Sequence, residues 1–197
     1  MSPVIAPVRC ASTPPVATTV VIIGGGIVGL TAALTLAERN IPVVVLEKGR
    51  IAGEQSSRNL GWIRKSSRHR EDLPLALAAD QLWAHMPARV GRDVGYRQAG
   101  ILFAAREPAQ MAMHEAWLES VKGLPLGPRP LSNTEIARRV PGGRATRARG
   151  LLTASDGPAD PTPATTPIAS PATAHRAAIA QQCAVRTPST AAARIDR

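Results

Sequence analysis

TVVIIGGGIVGLTAALTLAERNIPVVVLE, residues 19–47, decides the fold. Its β-branched start breaks into three glycines at 24–26, and such a run reads as a buried parallel strand. Residues 27–39 then bring good helix formers, Leu30, Ala32, Ala33, Leu34, Leu36, Ala37 and Glu38, with Asn40 and Pro42 to stop them. Residues 42–47 read as a second apolar strand. Strand, glycine turn, helix and strand make a βαβ unit with a right-handed crossover.

Within that unit, Gly24-Gly25-Gly26-Ile27-Val28-Gly29 matches G-x-G-x-x-G in the context the pattern requires, between a strand and a helix. Gly24 permits the tight turn, Gly26 lets a pyrophosphate approach the backbone, and Gly29 lets helix and strand pack closely. The helix start offers N–H groups and a positive dipole end to phosphates. Glu47 closes the second strand 23 residues after Gly24. A carboxylate there accepts hydrogen bonds from both ribose hydroxyls and repels a 2′-phosphate, which disfavours NADP. The fingerprint alone fits FAD or NAD. Residues 54–61, EQSSRNLG, add hydroxyls, an amide and a glycine suited to a second set of phosphate and ribitol oxygens, although a Ser/Arg/Asn loop is commonly just solvated.

Outside the unit, 73–90 reads as a helix with Leu75, Ala79, Leu82 and Met86 repeating and Trp83 beside them. Residues 96–105 read as a strand, and 108–122 as a helix opened by Pro108 with Met111, Leu118 and Val121 on one face. Ser132-Asn-Thr-Glu135 matches a capping box, and 149–153 reads as a strand. Prolines at 158, 161, 163, 167 and 171 then predict a weakly folded stretch, because an interior helical proline costs about 3 kcal/mol. Ser155-Asp156-Gly157 reads as a turn rather than a nucleophile, with no histidine placed beside it.

With 197 residues the chain holds one domain, or one and part of another. Apolar content is 44%, yet aromatics are 3% and much of the rest is alanine, which predicts a thin core. The net charge of +10 comes from scattered arginines with no nucleic-acid motif, so no nucleic-acid partner is expected. Cys10, Cys183, His69, His85, His114 and His175 show no metal-ligand spacing, so no metal is expected. Unpaired cysteines fit a reducing compartment, and no apolar run nears the roughly 20 residues of a membrane span. A cytoplasmic protein with a disordered leader at 1–18 is the expectation.

GGGIVGLTAALTLAERNIPVVVLEKG and AGEQSSRNLGWIR together resemble the D-amino acid oxidase-like flavoprotein superfamily, the group of glycine oxidase, sarcosine oxidase and D-amino acid dehydrogenases. The resemblance continues through LPLALAADQLW, GYRQAGILFAAR, SDGPADP and CAVR at 183–186, so it spans about residues 18–197. It implies an α/β fold, a Rossmann-like FAD/NAD(P)-binding βαβ domain with part of an interleaved α+β substrate domain. On that reading residues 19–72 form the FAD-binding unit and flavin-side loop, and 73–153 a partial substrate domain. Residues 154–182 are a degraded Pro/Ala-rich helix region, and 183–197 a return strand to the FAD domain.

The cofactor implied is FAD. The residues implied to hold it are Gly24, Gly25, Gly26, Ile27, Val28, Gly29, Glu47, Lys48, Ser56, Ser57, Asn59, Gly61 and, through its backbone at the adenine, Val185. Arg64, Lys65, Arg68 and Arg70 read as a solvated basic face, with a grip on flavin phosphate or substrate carboxylate as the lesser reading. The activity implied is oxidation of an amine or amino acid by hydride transfer to the flavin, with no side chain identifiable as acid or base. Family members run on beyond CAVR, which implies a truncated form. A non-catalytic nucleotide-binding fragment is the alternative. An NAD-dependent dehydrogenase is disfavoured by the flavin-side loop. Substrate, electron acceptor and oligomeric state are not specified by the sequence.

Overall fold

The computed structural model describes residues 8, 10–141, 149–187, 189–191 and 194–196. In chain order the elements are β1 (Val20–Ile23), α1 (Ile27–Glu38), β2 (Val43–Leu46), β3 (Trp62–Ile63), α2 (Leu73–Val90), β4 (Ile101–Ala105) and α3 (Pro108–Ser120). They continue with β5 (Pro128–Leu131), α4 (Asn133–Arg139), β6 (Arg149–Thr153), β7 (Gly157–Pro158), α5 (Pro161–Ala174), β8 (Ala178–Ala180), β9 (Ser189–Ala191) and β10 (Arg194–Asp196). They fall into two compact units that interleave along the chain. The first takes Met1–Leu60, Pro87–Gly95 and Asp160–Arg197; the second takes Gly61–Met86 and Tyr96–Ala159.

The first unit is built on a parallel sheet in the order β1-β2-β8, in register from Val20 opposite Val43 and from Val44 opposite Ala178. Val43, Val44 and Val45 are all buried, as a strand covered on both faces requires. Helix α1 buries Leu30, Ala33, Leu34 and Ala37 and ends in a Schellman motif. There Ile41 N–H bonds to Leu36 O, Asn40 N–H bonds to Ala37 O, and Asn40 takes φ 58°. Arg89 donates to both carboxylate oxygens of Glu38 and to Thr35 Oγ1, and this guanidinium holds the Glu38 carboxyl below the usual range.

Helix α5 corrects the expectation of a weakly folded stretch. Pro161 and Pro163 fall in its first turn, where a missing N–H costs nothing. Pro167 and Pro171 do remove interior bonds, but α5 packs on α1 and buries Ala164, Thr165, Thr166, Ile168, Ala169 and Ala172. Thr165 Oγ1 bonds back to Pro161 O at 3.0 Å, so this buried hydroxyl is satisfied within the helix. Small side chains on both helices permit this contact, so tertiary burial outweighs propensity. The third strand likewise lies earlier than expected. It is Ala178–Ala180, and Cys183–Thr187 carries no strand. Of the leader, residues 1–7 and 9 lie outside the described residues, while Ala11 N–H bonds to Ile179 O. Of the 183–197 stretch, residues 188, 192, 193 and 197 lie outside them too, and β9 pairs antiparallel with β10.

The second unit carries an antiparallel sheet in the order β4-β6-β5 and a short β3-β7 pair. Ser132 caps α4 with the expected box: its Oγ accepts Glu135 N–H, and Glu135 Oε2 accepts Ser132 N–H at 2.9 Å. Arg129 and these bonds bring the Glu135 carboxyl down to about 2. In α2 the apolar repeat misleads. Leu73 and Met86 are buried, but Leu75 and Leu82 are exposed. The inward face instead carries Asp80, which meets Lys65.

Lys65 was expected on a solvated face, and it is 2% exposed. Its ammonium donates to Asp80 Oδ2 at 2.8 Å and Ser155 O at 2.7 Å, with Asp156 Oδ1 at 3.3 Å. Asp156 is fully buried and accepts the N–H groups of Lys65 and Ser66 and the Ser66 hydroxyl. Tyr96 OH donates to the other oxygen of Asp80. Every member is satisfied, the condition under which a buried charge cluster is tolerated.

Two outcomes follow. The Schellman position of α5 is Arg176, at φ 69°, with Arg176 N–H on Thr173 O and Ala177 N–H on Ala172 O. Glycine suits that conformation, so Arg176→Gly should raise stability by about 0.5–1 kcal/mol in chemical denaturation. Tyr96, the sole tyrosine, has its pKa pushed up to about 12, first by burial and then by its bond to Asp80. The neutral phenol is therefore favoured in the fold. Its contribution is complete below the ordinary tyrosine range near 10 and is lost as pH rises through about 12. Tyrosinate absorbance should thus appear late in a base titration and coincide with unfolding. Ionisation near the free-tyrosine value with the fold intact would contradict the buried bond.

Candidate functional site

The site grows from the turn between β1 and α1. Gly24 takes φ 109°, a conformation open to glycine. Gly29 comes so near that a Cβ on it would lie 2.1 Å from Gly24 O, so the helix rests on the strand end only because that atom is missing. Gly26 is the N-cap of α1 and offers no capping side chain. Ile27 N–H instead donates to Ser56 Oγ at 2.8 Å, which also stands 2.9 Å from where a Gly26 Cβ would be. Ile22, Gly24, Gly26, Ile27, Gly29 and Ser56 are among the residues that line a groove of about 340 Å³, at the small end of ligand sites.

Glu47 stands beside this turn, 7% exposed. Its Oε2 accepts Gly25 N–H and its Oε1 accepts Gly49 N–H, both at 2.7 Å. A carboxylate has about four lone-pair sites, so two bonds leave acceptor capacity for ribose hydroxyls. The backbone of Glu47 is held as well: its N–H bonds to Ala180 O and its carbonyl accepts Cys183 N–H.

The structure brings together Gly24, Gly25, Gly26, Ile27, Gly29, Glu47 and Ser56. Val28 follows in the first turn of α1 and is exposed. The remaining expected residues are placed less tightly. Lys48 is exposed and pairs with Glu54 at 3.8 Å. Ser57 Oγ donates to Glu54 O, and Asn59 Nδ2 donates to Gln55 O, so both brace their own loop. Gly61 belongs to the second unit, where its carbonyl accepts Ala159 N–H. Val185 is exposed, two residues past the Cys183 bond to Glu47. Sequence reasoning missed Gln181, whose Oε1 accepts Ile51 N–H and fixes the turn after Glu47. A polar residue after a short strand gives no periodic signal. Of the basic run, Arg64 stacks 5.6 Å from the Phe103 ring centroid, and Arg70 donates to Ser120 O. Among the described residues no group of His, Cys, Asp or Glu is arranged to hold a metal.

The donor set fits an adenine dinucleotide: a helix start closed by one hydroxyl, a glycine turn without Cβ atoms, and a strand-end carboxylate. The close approach at Gly29 gives a direct check. Gly29→Ala should destabilise the first unit by more than the roughly 1–3 kcal/mol of ordinary overpacking, because the obstacle is backbone. Thermal melting reads this, and an unchanged midpoint would mean that helix and strand stand farther apart.

Comparison with known proteins agrees with this geometry. Glycine oxidase of Geobacillus kaustophilus is 33% identical over 90 residues, covering 42% of this chain and 24% of that protein. Sarcosine oxidase subunit beta of Arthrobacter sp is 36% identical over 85 residues, covering 42% and 21%. The solved L-amino acid deaminase from Proteus myxofaciens, in complex with anthranilate, superposes with a TM-score of 0.88 at 31% identity. It covers 98% of this chain and 44% of its own, so the chain spans less than half the length of each of these proteins. The family model of the DAO FAD dependent oxidoreductases matches residues 19–195, and the chain belongs to that family.

Proposed function

We propose that the glycine turn, Ser56 and Glu47 bind the ADP half of FAD, and that the chain serves oxidation of an amino acid or amine. The observation that supports this best is the convergence of Glu47, Gly25 N–H and the capped start of α1 on one groove. Ser56 Oγ accepts from Ile27 N–H, so its own proton remains to donate to a phosphate oxygen. The first-turn amides of α1 supply the partial positive charge that a pyrophosphate needs. Glu47 is pre-ordered by its two backbone bonds, so little freedom is lost when ribose hydroxyls arrive. The bound flavin supplies the hydride-accepting chemistry; the protein orients it. The substrate class follows the relatives, whose names specify glycine, sarcosine and L-amino acids. Among the described residues no helix is long and apolar enough to cross a membrane.

FAD titration by calorimetry tests the site. Glu47→Gln should weaken binding by about 1–3 kcal/mol, because a charge-assisted acceptor becomes neutral. The unfolding midpoint is recorded alongside, since Gly25 and Gly49 also lose an anionic partner. Equal affinity in both proteins removes Glu47 from the site. A dye-reduction screen with FAD, across amino acids and N-methyl amino acids, tests catalysis. Turnover that disappears in Gly26→Ala supports the oxidoreductase. Bound FAD without turnover favours a nucleotide-binding module.

A further inference from the structure

The turn after Glu47 holds a residue in an unfavourable conformation. Ala52 takes φ 58°, the left-handed region that a Cβ disfavours, and it is buried together with Ile51. Such a residue persists only where its surroundings over-determine it, and ligand clamps are where such strain collects. Three bonds determine this one. Gly53 N–H bonds to Arg50 O at 3.0 Å and closes the turn on itself. Ala52 N–H bonds to Gly25 O at 3.0 Å and ties the turn to the glycines. Ile51 N–H bonds to Gln181 Oε1 at 2.8 Å, and of the three this bond alone comes from a side chain distant in sequence.

The bond to Gly25 has a directional effect. The C=O and N–H of a trans peptide point opposite ways, so fixing Gly25 O on Ala52 turns Gly26 N–H away from Ala52. Gly26 N–H takes no acceptor among the described residues, and Gly26 lines the groove. Gln181 is itself oriented by the leader. Ile51 N–H can pair only with the amide oxygen, which leaves the amide NH2 for Cys10 Sγ at 3.0 Å. The Cys10 thiol donates to Val8 O at 3.4 Å, so its sulfur lone pairs remain to accept. Ala11 N–H on Ile179 O, at 2.8 Å, holds this stretch beside β8.

We propose that Gln181, oriented by Cys10, is a positioning residue for the nucleotide site. It holds the strained Ile51-Ala52 turn against Gly25 and so aims Gly26 N–H at a pyrophosphate oxygen. The proposal rests on the binding of the ADP half of FAD, and it adds two residues that act through the turn rather than on the nucleotide. Without the Gln181 oxygen, Ile51 N–H is left buried and unpaired, and the turn relaxes by giving up the bond between Ala52 and Gly25.

ADP and adenosine separate the two parts of the site. ADP engages Gly26 N–H and Glu47; adenosine engages Glu47 alone. Both are titrated into the full chain, ADP by calorimetry and adenosine by NMR, with the unfolding midpoint recorded. Gln181→Met keeps the length of the side chain and removes both polar ends. It should weaken ADP by about fivefold or more, leave adenosine within about twofold, and speed exchange of the Ile51 and Ala52 amides by about tenfold. Cys10→Ala should weaken ADP by about twofold to threefold, and Cys10→Ser, which still accepts the amide, should restore it. Unchanged ADP affinity in Gln181→Met overturns the proposal. So does an equal loss of ADP and adenosine, which marks a general loosening of the fold. An effect of Gln181→Met with none from Cys10→Ala overturns the leader's share. A chain that binds neither ADP nor FAD overturns the nucleotide-site reading itself, and this proposal with it.

Discussion

One residue gathers the ends of all three strands of the parallel sheet. The Glu47 carboxylate takes the Gly25 amide from the turn after β1 and the Gly49 amide from the turn after β2. Its main chain takes Ala180 O from β8 and Cys183 N–H from the stretch beyond. Hydrogen bonds to an ionised acceptor are about twice as strong as neutral ones, and these are short. The glycine turn, the second turn and the return of the chain are thereby set relative to one another before any ligand arrives. Gly29 completes the constraint by letting α1 descend onto Gly24 O. The groove is the space these contacts leave.

Much of this was legible in the sequence, because it depends on local rules. Three glycines between a β-branched run and a helix-forming run have few other meanings, and the acid at the end of β2 stands at the expected distance. The capping box at Ser132 and Glu135 is a four-residue pattern and forms as read. Ser56 was named through a family resemblance, and the structure adds the reason it matters locally, its bond to Ile27 N–H.

The misreadings share a cause, which is long-range partnership. Lys65 looks like its neighbours Arg64 and Arg68, and only the fold shows that Asp80 and Asp156, from elements 15 and 91 residues onward, turn toward it. The same pairing brings polar Asp80 inward on α2 and leaves Leu75 and Leu82 outside, against the apolar repeat. Propensity reads α5 as broken, yet the buried stripe of small side chains against α1 decides it. The third strand is three residues long, too short for alternation to register, and the family resemblance puts it instead at CAVR beyond.

The prolines of α5 also act when the helix is not formed. Each one holds φ near the helical value in the unfolded chain, so α5 gives up less conformational freedom on folding than its length implies. Proline also lacks the N–H that a cross-β stack needs from every layer. A chain caught half-folded exposes a segment that is poor at seeding fibrils, in contrast to VVII of β1. Thus the stretch least like a helix in composition is also one that resists cross-β stacking when it is exposed.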